Sequence, residues 1–291
     1  MKPLTALTAS VALAFAGALH AQTPATSDAP DFGPNVRIFD PSTPAATIQS
    51  ALDQAFDSML LSPDAEFGPQ RFAFLFKPGR YAVTARVGYY TSVQGLGRDP
   101  DEVRIIGNVV ADSGWNLHDR DNALINFWRS VENLAIEPAG GTTTWAVSQA
   151  APMRRVHVVG RLRLSPSNDG QGKGYSSGGY LADSRIDGDV ATGGQQQWYA
   201  RDSAVGGWHS GGWNAVLSGV AGAPPTSFPT PPVTTLATTP RSRERPWLYV
   251  DESGKYRVFL PALRTDARGP SWRAGAPTPG TSIPLLSLIH I

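Results

Sequence analysis

The apolar positions near the start of the chain follow a helical period. In "PAATIQSALDQAFDSML" they recur three and four residues apart, which places them on one face of a helix. Ser42 or Thr43 can cap this helix, and Pro44 suits its first turn. The pattern predicts one amphipathic helix whose buried face consists of Ile48, Leu52, Ala55, Phe56 and Met59.

After this helix the period changes to that of strands. In "RFAFLFKPGRYAV" the residues Phe72, Phe74 and Phe76 alternate with others before a Pro-Gly turn. The stretches "TSVQGLG" and "VRIIGNVV" are further short apolar runs bounded by glycine. No helical period follows, so the rest of the chain is predicted to be β-structure.

Residues 130–222 contain five similar segments, "VENLAIEP", "MRRVHVVG", "LADSRIDG", "ARDSAVGG" and "AVLSGVAG". They recur at intervals of about 15 to 28 residues, the length of one turn of a β-solenoid. Stacked turns would bury two continuous columns. The predicted columns are Leu134, Val156, Ser184, Ser203, Ser218 and Ile136, Val158, Ile186, Val205, Val220. We therefore predict an all-β fold, a right-handed parallel β-helix with an N-terminal capping helix; an immunoglobulin-like sandwich is the alternative.

Composition narrows the class of protein. Charged residues make up 17% of the chain, the formal net charge is +1, and the basic residues are scattered, which argues against nucleic-acid binding. Residues 1–21 have the pattern of a cleaved signal peptide, so we expect a secreted or periplasmic protein with no membrane span after cleavage. The chain has no cysteine, so its core must carry its stability without disulfides.

The sequence predicts a series of units along the chain. A spacer covers 22–35 and the β-helix domain covers 36–222. A Pro/Thr-rich connector follows over 223–246. Residues 247–285 are predicted to form a hairpin around Ser253-Gly254 and the start of a second domain.

The opening of the chain resembles the pectate-lyase-like β-helix superfamily. "AATIQSALDQAF", "FLFKPGRYAV" and "YTSVQGLG" match its capping helix, its Pro-Gly-x-Tyr strand and its Gly-rich first coil, and the resemblance extends from Ile38 to about Val220. Within that superfamily the chain resembles secreted bacterial proteins related to glycoside hydrolase family 55. The resemblance implies two β-helices side by side, of which only the first opening is present here.

The last residues, "LSLIHI" at 286–291, can be encoded by the end sequence of a transposase-based sequencing adapter. We therefore expect Leu286 to Ile291 to be translated adapter and the chain to be the N-terminal part of a longer protein. A genuine terminal strand is the alternative.

Candidate catalytic residues were sought at outward positions of the predicted coils. Asp183 and Asp202 would lie on adjacent coils, about 5 Å apart, near the separation of a retaining glycosidase pair. Arg155, His157 and Arg185 would surround them as substrate-binding residues. The alternative is a solvated ion-pair ladder. Such a surface could also bind an acidic sugar, or Ca²⁺ if the protein were a lyase; otherwise no cofactor is expected.

Aromatic residues concentrate in "QQQWYARDSAVGGWHSGGWN". Trp198, Trp208 and Trp213 stand among glycines there, and flat rings beside a solenoid suit stacking on sugar faces. Packing over coil ends is the alternative. None of the histidines has the spacing of zinc ligands, so no metal site is predicted.

The sequence thus predicts a secreted carbohydrate-active protein that binds and hydrolyses a polysaccharide, similar to a β-glucanase. The alternatives are a polysaccharide lyase and a non-catalytic, adhesin-like β-helix. The particular glycan and the oligomeric state stay open.

Overall fold

The computed structural model describes residues 30–60, 64–116, 120–166, 174–211, 213–273, 276 and 278–285. The predicted signal peptide, most of the predicted spacer and the predicted adapter-derived residues 286–291 lie outside the described residues. The described part contains one α-helix, α1 (Ala45–Leu60), and a short 3-10 helix, η1 (Pro100–Glu102). Its strands are β1 Val36–Phe39, β2 Phe72–Phe76, β3 Gly79–Tyr81, β4 Thr84–Arg86, β5 Thr91–Gly95, β6 Val103–Val110, β7 Ser130–Pro138, β8 Thr142–Thr144, β9 Pro152–Val158, β10 Arg161–Arg163, β11 Tyr175–Ser176, β12 Tyr180–Ala182, β13 Arg185–Ala191, β14 Gly194–Gln195, β15 Gln197–Arg201, β16 Ala204–His209, β17 Asn214–Ser218, β18 Val233–Leu236, β19 Thr239–Ser242, β20 Trp247–Val250, β21 Tyr256–Pro261, β22 Arg264–Ala267 and β23 Gly280–Pro284.

Parallel pairing dominates the molecule, as the sequence predicted. One 16-stranded sheet carries the strand order β1-β2-β5-β7-β9-β12-β15-β17-β18, and all of these neighbours are parallel. A second parallel series runs β6-β7-β9-β13-β16. We call each successive pass of the chain through the two series a rung.

The core lies between the two strand series and is built from columns of inward side chains. One column consists of Val131, Met153, Leu181, Ala200 and Leu217, all buried. Helix α1 contributes the apolar face predicted for it. Ser184 and Ser203 belong to the second column, predicted with Leu134 and Val156, and their hydroxyls bond to neighbouring backbone groups.

The predicted register is correct for four rungs and wrong for the last one. Ser218 pairs with Arg201, and Ala221 bridges to Ala204. Val220 therefore lies beside Ser203, and the neighbour of Val205 is Gly222. A two-residue slip keeps the same alternation of faces, which is why the sequence pattern did not detect it. At Gly222 a Cβ would lie 2.0 Å from the carbonyl oxygen of Val205, so this position excludes a side chain.

Each of these rungs bends at one residue in the left-handed conformation. The φ values are 53° at Asn133, 51° at Arg155, 51° at Asp183, 48° at Asp202 and 61° at Gly219. Asn, Asp and Gly tolerate this conformation better than other residues. The bend turns the chain from one strand series to the other, so side chains here do not follow simple strand alternation.

The C-terminal segment, residues 237–285, lies along this line of bends. Strands β20, β21 and β23 form an antiparallel sheet that contains the hairpin around Ser253-Gly254, and β19 pairs with β22. Leu248, Val250 and Tyr256 pack on Leu75 and Leu96 of the first rungs. The segment therefore covers one side of the parallel stack.

The predicted connector, 223–246, differs from an open linker. Strand β18 lies within it and extends the parallel sheet by pairing with β17. The loop before β18 folds back on the outer edge of that strand: Ser227 and Val233 bond to each other, and Thr235 N–H donates to the Thr226 hydroxyl at 3.0 Å. Composition alone did not reveal this rung because its apolar content is low.

Candidate functional site

The carboxylates of Asp183 and Asp202, predicted to be catalytic, are buried. Neither residue has exposed surface. The expectation that the pair faces solvent is wrong, because both residues sit at the left-handed bends that the C-terminal segment covers. A carboxylate acting on a polysaccharide must be accessible to it, and both of these are enclosed by protein.

Asp183 is held on all sides by donors. Arg155 Nη1 donates to its Oδ2 at 3.0 Å, and the Ser271 hydroxyl donates to the same oxygen at 2.8 Å. The backbone N–H of Ser271 donates to Oδ1, and Trp272 Nε1 donates to the Asp183 carbonyl at 2.6 Å. Burial raises the pKa of Asp183 to about 6, against the opposing charge of Arg155.

Asp202 belongs to the same buried network. Arg201 Nη1 donates to Asp202 Oδ2 at 2.8 Å and lies 2.5 Å from Glu244 Oε1. Arg154 reaches the other oxygen of Glu244 at 2.7 Å. We call this network the buried charge cluster: Arg154, Arg155, Asp183, Arg201, Asp202 and Glu244. It fastens the C-terminal segment to three successive rungs.

The three predicted substrate-binding cations have different environments. Arg155 is buried, and its guanidinium lies 3.7 Å from the ring centroid of Trp247. His157 is buried between Asp101, at 2.6 Å, and Asp187, at 3.1 Å. Arg185 is half exposed and bonds to Asp187 at 2.6 Å. The prediction that all three surround an open carboxylate pair is therefore wrong, and only Arg185 is open to solvent.

The pKa of His157 reflects two opposing effects. Burial lowers it, but the hydrogen bonds and negative charges of Asp101 and Asp187 outweigh burial and raise the pKa above its ordinary value. The same contacts lower the pKa of Asp101 below its ordinary value, against the effect of burial. The side chains of Asp101, His157 and Asp187 together link η1 to strands β9 and β13.

The three predicted tryptophans do not form one surface. Trp198 and Trp208 are only 4% and 7% exposed and belong to the core, whereas Trp213 is 61% exposed. Trp198 faces inward between Gln197 and Tyr199. A Cβ on Gly179 would lie 2.0 Å from the Trp198 ring, so the glycine is needed for this packing. Two of the three rings therefore pack in the core, which neither sugar stacking nor the alternative of packing over coil ends predicted.

Tyrosines that the sequence reasoning missed complete the exposed aromatic surface. Tyr180 and Tyr199 are register partners on adjacent rungs, and their rings stack with centroids 5.7 Å apart. Tyr175 lies edge-on to Trp213 with centroids 6.2 Å apart. Tyr175 and Tyr199 are both exposed. The signal was available one residue before the aligned segments "LADSRIDG" and "ARDSAVGG", where Tyr180 and Tyr199 stand at equivalent positions.

A groove of about 260 Å³ lies against this surface. It opens on the outer face of the parallel sheet, where Gly178 and Gly179 leave room in front of strand β15. We call it the aromatic groove, and it is lined by Gly178, Gly179, Gln197, Trp198, Tyr199, Asn214 and Val216. Every one of these residues is uncharged.

Other surfaces offer less to a ligand. A larger groove of about 710 Å³ lies between α1 and strands β1 and β2, and its lining is mostly small residues. Among the described residues, no three His, Asp or Glu side chains come together as metal ligands would. In the part of the chain that the structure describes, no helix is both long and apolar enough to span a membrane.

Comparison with known proteins identifies a relative from Streptomyces. No protein-family model matches the chain. The chain is 54% identical over 256 residues to an exo-beta-1,3-glucanase of Streptomyces sp. (strain SirexAA-E / ActE); the match covers 88% of this chain and 40% of that protein. The chain thus spans less than half the length of this relative.

Two solved structures from Streptomyces sp. SirexAA-E share the architecture. The structure of sacteLam55A superposes with a TM-score of 0.81 at 53% identity and covers 88% of this chain and 44% of that one. A variant of sacteLam55A in complex with glucose matches with the same TM-score at 54% identity.

Proposed function

We propose that this protein is a β-1,3-glucan hydrolase of glycoside hydrolase family 55 that releases sugar from chain ends. The observation that carries the proposal is the 54% identity to an exo-beta-1,3-glucanase along 88% of the chain. Because the chain spans only 40% of the length of that relative, we propose the activity for the whole protein and not for these residues alone.

We further propose that the stacked rungs form a right-handed β-helix. Parallel strands in one sheet are joined by right-handed crossovers in nearly all proteins. The strand order and the continuous register of the rungs support this topology. The TM-score of 0.81 to sacteLam55A supports the same arrangement. We also propose that the protein is secreted, which rests on the signal-like pattern of residues 1–21.

Hydrolysis of a glycoside generally requires two carboxyl groups that reach the sugar. In this structure the predicted pair, Asp183 and Asp202, is sealed inside the buried charge cluster. We therefore assign these two residues a structural role. We propose that they hold the C-terminal segment in place.

The test uses the polypeptide expressed from the complete gene. We expect it to release glucose from laminarin, a soluble β-1,3-glucan, and to release nothing from polygalacturonate with or without Ca²⁺. Products are followed by chromatography.

Two results would favour the other candidate functions. Unsaturated uronides from polygalacturonate would show a lyase. Firm binding to glycans or cells, with no product from a broad glycan panel, would show a non-catalytic binding protein.

A further inference from the structure

We propose that a small cavity at the end of the capping helix binds an inorganic anion of the size of chloride, held by the Arg129 guanidinium. The cavity lies where α1, the turn before β5, the segment after β6 and the residue before β7 meet. We call it the Arg129 cavity, and it is lined by Phe56, Met59, Leu60, Gly88, Tyr89, Trp115, Asn116 and Arg129. The site does not depend on the proposed activity.

Arg129 is a buried cation without a carboxylate partner. The residue is 4% exposed. Its Nη1 donates to the Val87 carbonyl at 2.5 Å and its Nε to the Phe127 carbonyl at 3.3 Å, and Nη2 donates to no acceptor among the described residues. Burial lowers the pKa of Arg129 to about 10, so the guanidinium is still charged at neutral pH. A buried charge is costly unless an opposite charge accompanies it.

The other buried arginines have such an opposite charge. Arg155 pairs with Asp183 at 3.0 Å. Arg201 pairs with Asp202 at 2.8 Å and with Glu244. Among the arginines that the structure describes as buried, Arg129 is therefore the exception. An anion taken from solvent would give it the counter-charge that the surrounding side chains lack.

Two aromatic residues bring further polar hydrogens to the cavity. The Tyr89 ring centroid lies 5.0 Å from the Arg129 guanidinium, and burial raises the pKa of Tyr89 to about 12, so its hydroxyl stays protonated. Trp115 packs edge-on against Phe56 of α1 with centroids 5.1 Å apart. Within the described part of the chain, neither the Tyr89 hydroxyl nor Trp115 Nε1 donates to an acceptor. Both groups are thus free to donate to an ion in the cavity.

The size of the cavity selects the ligand. Its volume is about 30 Å³, close to the space that one water molecule occupies in the liquid. A single-atom anion fits such a space, whereas a sugar ring does not.

The charge of the lining favours an anion. No Asp or Glu is among the described lining residues. The last turn of α1 borders the cavity, and the partial negative charge of a helix C-terminus acts against an anion. That partial charge is about half an elementary charge, and the guanidinium carries a whole one. The net field of the lining is therefore positive.

The position of the cavity predicts what the ion does. Phe56, Met59 and Leu60 belong to α1, whereas Tyr89 and Arg129 precede strands of the first rungs. An ion held between them would fasten the capping helix to the rungs. Because such an ion binds only the folded protein, its binding stabilises the fold.

The test measures thermal unfolding of the polypeptide from the complete gene as sodium chloride replaces sodium gluconate at constant ionic strength. Gluconate carries the same charge but is too large for the cavity. Salts also act on the whole surface, so the wild type is compared with Arg129→Gln. We expect chloride to raise the unfolding midpoint of the wild type by about 2–4 °C more than that of the variant. Equal rises would overturn the proposal.

Two further variants sharpen this comparison. Tyr89→Phe keeps the ring and removes the hydroxyl, so it should raise the chloride concentration needed for the same stabilisation by about tenfold. Arg71→Gln is the matched control. Arg71 also bonds to carbonyl oxygens and lies 3.4 Å from the Tyr90 ring centroid, but it is exposed. It should keep the full chloride-dependent rise, and loss of the rise in this control would contradict the assignment to Arg129.

A crystal of the same polypeptide soaked in sodium bromide locates the ion without any variant, because bromide replaces chloride and scatters anomalously. We expect an anomalous peak in the Arg129 cavity within hydrogen-bonding distance of Nη2. A cavity that contains only water would overturn the proposal. A peak without a chloride-dependent rise in the midpoint would show an adventitious ion only and would overturn it too. If Arg129→Gln does not fold, Tyr89→Phe and the bromide peak decide the question.

Discussion

The buried charge cluster and the aromatic groove lie on the same rungs, but the cluster is enclosed by protein and the groove is open to solvent. Arg201 and Tyr199 are two residues apart on β15, yet Arg201 is enclosed with Asp202 and Glu244, whereas Tyr199 borders open solvent. The C-terminal segment makes the difference, because it covers the line of bends and stops short of the groove. Outward position on a strand is therefore not the same as exposure.

The two regions also differ in what their polar groups do. In the cluster, charged side chains pair with one another and join the C-terminal segment to the rungs, and Asp202 Oδ1 is a buried oxygen with no hydrogen-bond partner among the described residues. Beside the groove, the amides of Gln197 and Asn214 are uncharged and exposed. Buried ion pairs are suited to fastening, and exposed neutral groups are suited to binding a ligand.

Removing the charge of Asp183 should have the largest effect. In Asp183→Asn, the buried Arg155 would lose its nearest carboxylate and keep only Asp99, at 3.7 Å, so we expect the free energy of unfolding to fall by about 3–5 kcal/mol. Urea unfolding followed by circular dichroism measures it. Asp189→Asn is the matched control, because Asp189 is exposed and its ion pair is with the exposed His209; its effect should stay within about 0.5 kcal/mol.

The same variant separates fastening from catalysis. If Asp183→Asn abolished glucose release while the free energy of unfolding stayed unchanged, the carboxylate would act on substrate, as the sequence predicted.

The tryptophans provide a second comparison of buried and exposed positions. Trp208→Ala should lower the free energy of unfolding by about 3 kcal/mol, because it leaves a cavity in the core and removes the bond from Nε1 to Ser210. Trp213→Ala should change it by less than about 0.5 kcal/mol. Equal losses in thermal denaturation would mean that Trp213 also packs into the core.

His157 should make stability depend on pH. Its pKa is raised in the folded protein, so its stabilising contribution is present below about pH 6.5 and is lost as pH rises through the raised pKa. The stability advantage of the wild type over His157→Gln should therefore shrink between about pH 6 and pH 8. Urea titrations across this range measure it.

The carboxylates that contact His157 are those of Asp101 and Asp187, and the pKa of each lies below its ordinary value. Arg185→Gln removes a half-exposed pair and serves as the control; it should cost at most about 1 kcal/mol, with little pH dependence. An advantage over His157→Gln that stays constant or grows with pH would contradict the assignment.

Local periodicity identified most of the elements. The five apolar residues predicted for helix α1 are the five that it buries, and the alternating phenylalanines form β2. The repeat alignment placed Asn133, Arg155, Asp183 and Asp202 in one column, which they occupy. These features follow from the burial of one face of each helix or strand, which places apolar residues at regular intervals in the sequence.

The predictions of register and of the connector that proved wrong share a different cause. The slip at Gly222 preserves the alternation of faces, so no pattern of apolar residues could expose it. Strand β18 has the composition of a linker and is a strand because β17 offers it a ladder of hydrogen bonds. Tertiary pairing decided both.

The sequence by itself determined the mostly β architecture, the capping helix and the order of the rungs, because each rung must bury the same inward positions. It also indicated Asp183, Asp202 and the tryptophans as candidate site residues. Only the tertiary structure decided that Asp183, Asp202, Trp198 and Trp208 are enclosed while Trp213 and Tyr199 are open. The physical reason is that residues 237–285 cover Asp183 and Asp202, while Trp198 and Trp208 pack into the core that the rungs enclose. Both sets of contacts join residues far apart in the sequence, and no local period records them.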